Sequence, residues 1–179
     1  MYFYGCEIKI IKGDITRQAT SAIVNAANSA LIGGGGVDGA IHKAAGDELP
    51  TALRKIGSCP TGTACITEGF RLKSKYIIHT VGPIYHGGND NEAELLKSAY
   101  VSSLALANDH YLHSISFPAI STGVYRFPKQ QAARIAISTT LKYLKEKNKS
   151  LKEIVFVLFD EEQYQLYVDL LNELKEQVK

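Results

Sequence analysis

Short β-branched runs alternate along the chain with stretches whose apolar positions recur at helical spacing. The runs fall at residues 7–11, 22–25, 64–67, 75–80, 114–117 and 153–159. The last, EIVFVLF, is apolar at nearly every position, as in a strand buried on both faces. Between the runs, VDGAIHKAAG (37–46) has helical spacing and ends in Gly46, a C-cap residue. NEAELLKSAYVSSLALAND (91–109) sets Ala93, Leu96, Ala99, Tyr100, Ser103 and Leu104 on one stripe. PKQQAARIAISTTLKYLKEK (128–147) opens with Pro128 at the first helical position and turns basic at its end, matching the helix dipole. EEQYQLYVDLLNELKEQVK (161–179) starts acidic and closes the chain. This alternation predicts an α/β fold: a mixed, largely parallel central sheet with helices on both faces, an α-β-α sandwich. No repeat, low-complexity tract or composition shift divides residues 1–179, so one domain is expected.

Composition narrows the classes. Of 179 residues, 45% are hydrophobic and 21% charged, ordinary for a globular chain with a sizeable core. A net charge of +2 is not the strong basic excess of a protein built to grip a phosphate backbone, so nucleic acid is not expected as a partner. Three cysteines, Cys6, Cys59 and Cys65, show no CxxC spacing, which points to a reducing compartment and away from a disulfide framework or a zinc site. MYFYGCEIKI has neither the charged start nor the apolar core of a signal peptide. No run of about 18 apolar residues offers a membrane span. The expectation is a cytoplasmic protein.

In open α/β sheets, ligands bind outside the carboxyl ends of the strands, so loops that follow strands carry the candidate chemistry. The first runs from Ala26 through Gly33, Gly34, Gly35 and Gly36 into a helix starting near Val37 or Asp38. Bare backbone N–H groups beside a helix N-terminus form an anion-binding concavity. A hinge is the alternative. Gly34, Gly36 and Gly39 spell GxGxxG, but a dinucleotide fingerprint needs those glycines directly after the strand and an acid about 20 residues later. Here AANSALIG intervenes and the downstream segment, IGSCPTG, has no acid. No Gly-Lys-Ser/Thr is present for a P-loop. The second loop, SFPAISTGVYRFP (116–128), also links a strand to a helix. Ser121, Thr122 and Gly123 there can donate to phosphate oxygens, and Tyr125 can lay its ring on a sugar or base. An ordinary turn with a packing tyrosine is the alternative. Two such loops on one sheet suit a diphosphate.

Taken together, GDIT (13–16), AIVNAAN (22–28), GGGGVDGAIHKAAG (33–46), IIHTVGP (77–83) and FPAISTGVYRFP (117–128) resemble the macrodomains, specifically the MacroD type, in the family's order over most of the chain. The resemblance implies ADP-ribose binding, removal of ADP-ribose from acidic side chains and hydrolysis of O-acetyl-ADP-ribose. It implies that Asp14 accepts a hydrogen bond from the adenine amino group, with the Ile15 backbone beside it. Gly33, Gly34, Gly35, Gly36 and Val37 would cradle the diphosphate against Ser121, Thr122, Gly123 and Val124. Asn28 would hold the distal ribose, with Asn25 nearby and Tyr125 packed on the same sugar. Phe159 is a candidate for stacking on adenine, and Asp38 is the residue tied to hydrolysis.

Plainer roles stand beside these. Asp14 also fits a turn or helix-cap aspartate, and Asn25 a brace for its loop. His79 reads as a satisfied core histidine, and His86, His110 and His113 as loop or surface residues. Lys12, Arg126 and Lys129 add positive potential near the diphosphate or are simply solvated. The glycine loop has no cysteine for zinc and no paired glutamates for polymer cleavage, so neither metal nor cofactor is expected. The partners implied are ADP-ribose, its esters and mono-ADP-ribosylated proteins, acted on by a monomer. A non-catalytic ADP-ribose reader is the rival reading.

Asp38 and His42, four apart, share one helix face. Asp38 lies in the first turn, where the dipole favours negative charge, which makes it a poor general acid. Its expected contribution is to orient a water and offset positive charge at the distal ribose. His42 either orients that carboxylate, pairs with a phosphate, or packs beneath the loop.

Overall fold

The alternation of runs folds into one seven-stranded sheet, seen in a computed structural model that describes residues 1–178. In chain order the elements are β1 (Tyr2–Phe3), β2 (Cys6–Lys12), a 3-10 turn (Ile15–Arg17), β3 (Ala22–Ala26), α1 (Gly36–Ala45), α2 (Glu48–Ile56), β4 (Ala64–Glu68) and β5 (Tyr76–Thr80). There follow α3 (Glu92–Asp109), β6 (Ser114–Phe117), α4 (Lys129–Glu146), β7 (Glu153–Leu158) and α5 (Glu161–Val178). The strand order is β1-β2-β7-β6-β3-β5-β4. The five inner strands run parallel, and the edge strands β1 and β4 are antiparallel to their neighbours. Both edges come from short connections that leave no room for a crossover.

Side-chain alternation separates the two cores. Ile154, Phe156 and Leu158 of β7 point to α3, α4 and α5, whereas Val155 and Val157 point to α1 and α2. Val24 and Ile78 join the first cluster, and Ile23 and Ile77 join the second. β3, β5 and β7 therefore supply apolar residues to both faces, which explains the unbroken apolar run in β7, whereas β6 turns Ile115 and Phe117 to the first core and serines to the other face. The result is the expected three-layer α-β-α sandwich.

Several boundaries differ from the sequence expectation. No element was expected in the segment 46–64, yet it contains α2. Leu49 and Leu53 lie one turn apart and are fully buried, and Pro50 falls within the first turn, where its missing N–H is harmless. β1 was also missed. It is two residues long and joins β2 through Tyr4 and Gly5, both at positive φ, as a tight hairpin requires. Pro128 caps α4 instead of entering it. Strand β7 ends at Leu158, leaving Phe159 just beyond it and 86% exposed.

The glycine-rich segment 85–94 is wrapped around a buried carboxylate. Glu92 accepts hydrogen bonds from the backbone N–H groups of His86, Gly88 and Asp90. Burial works against its charge, but these donors together outweigh burial and hold the carboxyl below the usual carboxylate range.

Candidate functional site

The parallel strands deliver their carboxyl ends to one edge of the sandwich, so the loops after β2, β3, β5, β6 and β7 meet there. The chain leaves β3 for one face of the sheet and β6 for the other. The gap between these adjacent strands is the switch point at which α/β sheets open a crevice. A cleft of about 350 Å³ lies there, within the size range of small-molecule sites. One wall is Ala26–Asn28 with Gly34–Asp38, the other is Ala119–Ser121 with Gly123–Tyr125, and Gly82 from the β5 loop completes it.

The first wall is shaped by glycine. Gly33 and Gly36 hold φ of 77° and 58°, which disfavours other residues. A methyl group on Gly39 would lie 2.5 Å from the Gly34 carbonyl oxygen, so α1 packs against the loop only because Gly39 is bare. Asn28 closes the loop from within: its Nδ2 donates to the Gly33 carbonyl at 3.0 Å, and its Oδ1 accepts from Ile32 N at 3.2 Å. At the helix start the N-cap is Gly35, whose missing side chain leaves the first-turn N–H groups without a side-chain acceptor.

Asp38, the third residue of α1, lines the cleft and is only 6% exposed. Its Oδ1 accepts a 2.8 Å hydrogen bond from Asn25 Nδ2 and lies 3.3 Å from His42 Nε2. The His42 contact is close but misaligned, since Nε2 has no hydrogen-bond partner. The other oxygen, Oδ2, borders Gly34, where an added methyl would lie 3.5 Å away. His42 answers two of the alternatives at once: its ring packs beneath Gly33 and its Nε2 flanks the Asp38 carboxylate.

Asn25 is fully buried at the end of β3 and does not reach the cleft wall. Its Nδ2 also approaches His79 Nδ1 at 3.1 Å, and His79 Nε2 is 2.9 Å from Thr67 Oγ1. Burial, with the charge of His42 as a smaller cause, pushes His79 down to about 3, so the ring is neutral at physiological pH. With Asn25 donating to Nδ1, the ring proton sits on Nε2 and is donated to Thr67 Oγ1. That hydroxyl in turn donates to the Glu68 carbonyl. A directed chain from β4 through β5 and β3 thus fixes the orientation of the Asn25 amide and, through it, of Asp38.

The second wall is held by its own turn. Thr122 Oγ1 donates to the Ala119 carbonyl, Phe127 N to Ser121 and Arg126 N to Gly123. Ser121 takes φ of 67°, and its buried Oγ has no partner. Val124 is 90% exposed at the rim, and the Tyr125 carbonyl accepts from Tyr85 N, tying this loop to the one after β5.

Asp14, Ile15 and Phe159 lie apart from the cleft, at the ends of β2 and β7. Asp14 caps the 3-10 turn, with Oδ1 accepting from Thr16 Oγ1 and Thr16 N, and these bonds lower its carboxyl from the ordinary value. Oδ2 lies 3.9 Å from Arg17 Nε, an exposed contact. Ile15 is buried in the smaller core. The cap alternative for Asp14 and the bracing alternative for Asn25 are therefore both realised, and Asp14 keeps one carboxylate oxygen outside the cap.

Sequence reasoning missed Gly82 and the His79–Thr67 pair. A methyl on Gly82 would lie 2.1 Å from Ser121 Oγ and 2.6 Å from Ile120 Cγ2, so its bareness lets the second wall close over β5. The signal available was a glycine two residues past a strand, in HTVG. Among the described residues no three His, Cys, Asp or Glu side chains gather as a metal site, and no helix is long and apolar enough to cross a membrane.

Known proteins share this arrangement. The Macro domain family profile matches residues 24–136. The chain is 54% identical over 172 residues to macro domain-containing protein TTE0995 of Caldanaerobacter subterraneus subsp. tengcongensis, covering 94% of this chain and 97% of that one. It is 52% identical over 174 residues to a Citrobacter rodentium protein named O-acetyl-ADP-ribose deacetylase, covering 95% and 98%. A mutant of the Oceanobacillus iheyensis macrodomain solved with ADPR matches with TM-score 0.94 and 45% identity, over 98% of this chain and 97% of that one. A Trypanosoma brucei macrodomain in complex with ADP-ribose matches with TM-score 0.83 and 40% identity, over 92% and 68%. By profile, sequence and fold alike, the chain belongs to the Macro domain family.

Proposed function

We propose that the cleft binds ADP-ribose and that the chain is a hydrolase of ADP-ribosyl esters: O-acetyl-ADP-ribose, and mono-ADP-ribose carried on acidic side chains of proteins. One observation carries this reading. A nearly buried carboxylate, Asp38, is aimed by the Asn25 amide at the border of a glycine-lined cleft that ends at a helix N-terminus. The ADPR complex of one relative and the deacetylase name of another support it.

In this reading the backbone N–H groups of residues 33–37 and 121–124 receive the diphosphate. Asn28 and Tyr125 hold the distal ribose. Asp14 takes the adenine amine through the oxygen left outside the cap, and the exposed Phe159 stacks on the base. A water sits between Asp38 and a diphosphate oxygen of the substrate. Asp38 orients it by hydrogen bonding, and the attacked ester parts into a carboxylate and a hydroxyl. Where water attacks the anomeric carbon, the group expelled is a carboxylate, which leaves without strong acid assistance. Asn25 acts through Asp38, and His42 supports both the loop and the carboxylate. The chain acts as a single-domain monomer and needs no cofactor.

Incubation with a glutamate-modified, ADP-ribosylated protein and, in parallel, with O-acetyl-ADP-ribose tests this directly. Free ADP-ribose should accumulate from both, with acetate from the second. Full retention of the label on the protein together with intact acetyl ester, at saturating chain, would identify a reader.

A further inference from the structure

Beyond Tyr125 the cleft passes into a second groove of about 290 Å³, and the two share Gly82 and Tyr125. Asn28 lines the cleft and the next residue, Ser29, lines the groove, so the groove opens from the end of the cleft at which the ester is proposed to sit. Its floor is apolar, with Val81, Pro83 and the half-exposed Ile84. Its far wall is the segment 86–90, held in one shape by the hydrogen bonds to Glu92. No Lys or Arg lines it, whereas Asp90 and Glu92 do, with His86 as the one facing imidazole. Glu92 is consumed by the backbone. Among the described residues no hydrogen bond or ion pair engages the exposed Asp90 carboxylate.

We propose that this groove holds the polypeptide on either side of the modified residue, and that it selects segments with a lysine or arginine beside the ADP-ribosylated acid. The inference rests on the hydrolase reading of the cleft and adds the acceptor to it. Continuity places the acceptor: a group leaving the distal ribose at Asn28 and Tyr125 has the groove as its outlet. Charge supplies the selectivity. The modified acid has lost its own charge in the ester, so an uncompensated Asp90 faces the neighbouring side chains, and opposite charges across such a rim favour the matching partner. An acetyl ester carries no flanking side chains, so the groove is silent for O-acetyl-ADP-ribose.

Three substrates test this: O-acetyl-ADP-ribose, and two glutamate-ADP-ribosylated peptides that differ only in carrying lysines or glutamates beside the modified residue. The native chain should process the lysine-flanked peptide with kcat/KM about fivefold higher, the scale of an exposed charge pair changing sign. Asp90→Lys should reverse that preference and leave acetyl-ester hydrolysis unchanged. Ile84→Ala should raise KM for both peptides and leave the acetyl ester alone. Equal processing of the two peptides, or one common factor of change on all three substrates, would overturn the groove. If no ester is turned over, the hydrolase reading fails separately, and the dissociation constants of the two intact peptides then decide the groove by the same preference.

Discussion

Replacing Asp38 with alanine is expected to lower kcat on O-acetyl-ADP-ribose by about 100-fold or more, the usual cost of losing a group that positions or activates the attacking water. ADP-ribose affinity should change only a few-fold, because the cradle is made of backbone. The carboxylate is nearly enclosed, so its removal also has a structural cost. Asn25 Nδ2 loses its 2.8 Å acceptor and keeps only His79. A buried donor left short costs about 1–3 kcal/mol, which thermal unfolding will register. Asp38→Asn separates the two effects. It keeps the volume and one acceptor oxygen, so stability should return toward that of the native chain while kcat stays low. Native kcat in either variant, with ligand binding intact, would remove Asp38 from the chemistry.

Gly39→Ala should weaken ADP-ribose binding by about tenfold or more, and here two opposed effects must be compared. Within a helix, alanine in place of glycine normally stabilises by up to about 1 kcal/mol. At this position the new methyl would stand 2.5 Å from the Gly34 carbonyl oxygen, which belongs to backbone and cannot rotate aside. Overpacking of this kind costs about 1–3 kcal/mol, so the clash wins and the loop moves. The displaced segment carries the N–H groups proposed to face the diphosphate, so binding suffers more than folding. Calorimetric affinity and unfolding midpoint, measured on the same preparation, check this. Native affinity with raised stability would show that Gly34 does not line a working cradle.

Most of the frame was legible because each inner strand carries its own signature. Within the run 153–159, β7 is apolar at both parities because α-helices cover both sheet faces, and the loops that follow such strands are where ligands go. Asp38 and His42 could be set on one face by spacing alone. Roles for Asp14 and Asn28 came only with the family resemblance, since a turn aspartate and a ligand aspartate look alike in one sequence. What sequence reasoning missed depends on contacts distant in the chain. His79 was read as a core histidine, but its link to Asp38 through Asn25 joins residues 13 and 54 positions apart. Gly82 matters because Ser121 and Ile120 close over it. Glu92 stands at the start of α3, and only the fold of residues 86–90 reveals it as their anchor. α2 was legible too: Leu49 and Leu53 are spaced for a helix, and Pro50 falls in its first turn.

What the cleft prefers to bind decides its function. Calorimetric titration of the chain with ADP-ribose, ATP and NAD under one buffer addresses it. The glycine cradle, Asn28 and Tyr125 are read as serving a diphosphate with a free distal ribose, so ADP-ribose should bind with a stoichiometry of about one and clearly more tightly than either nucleotide. ATP binding as tightly as ADP-ribose, or more tightly, would contradict that reading.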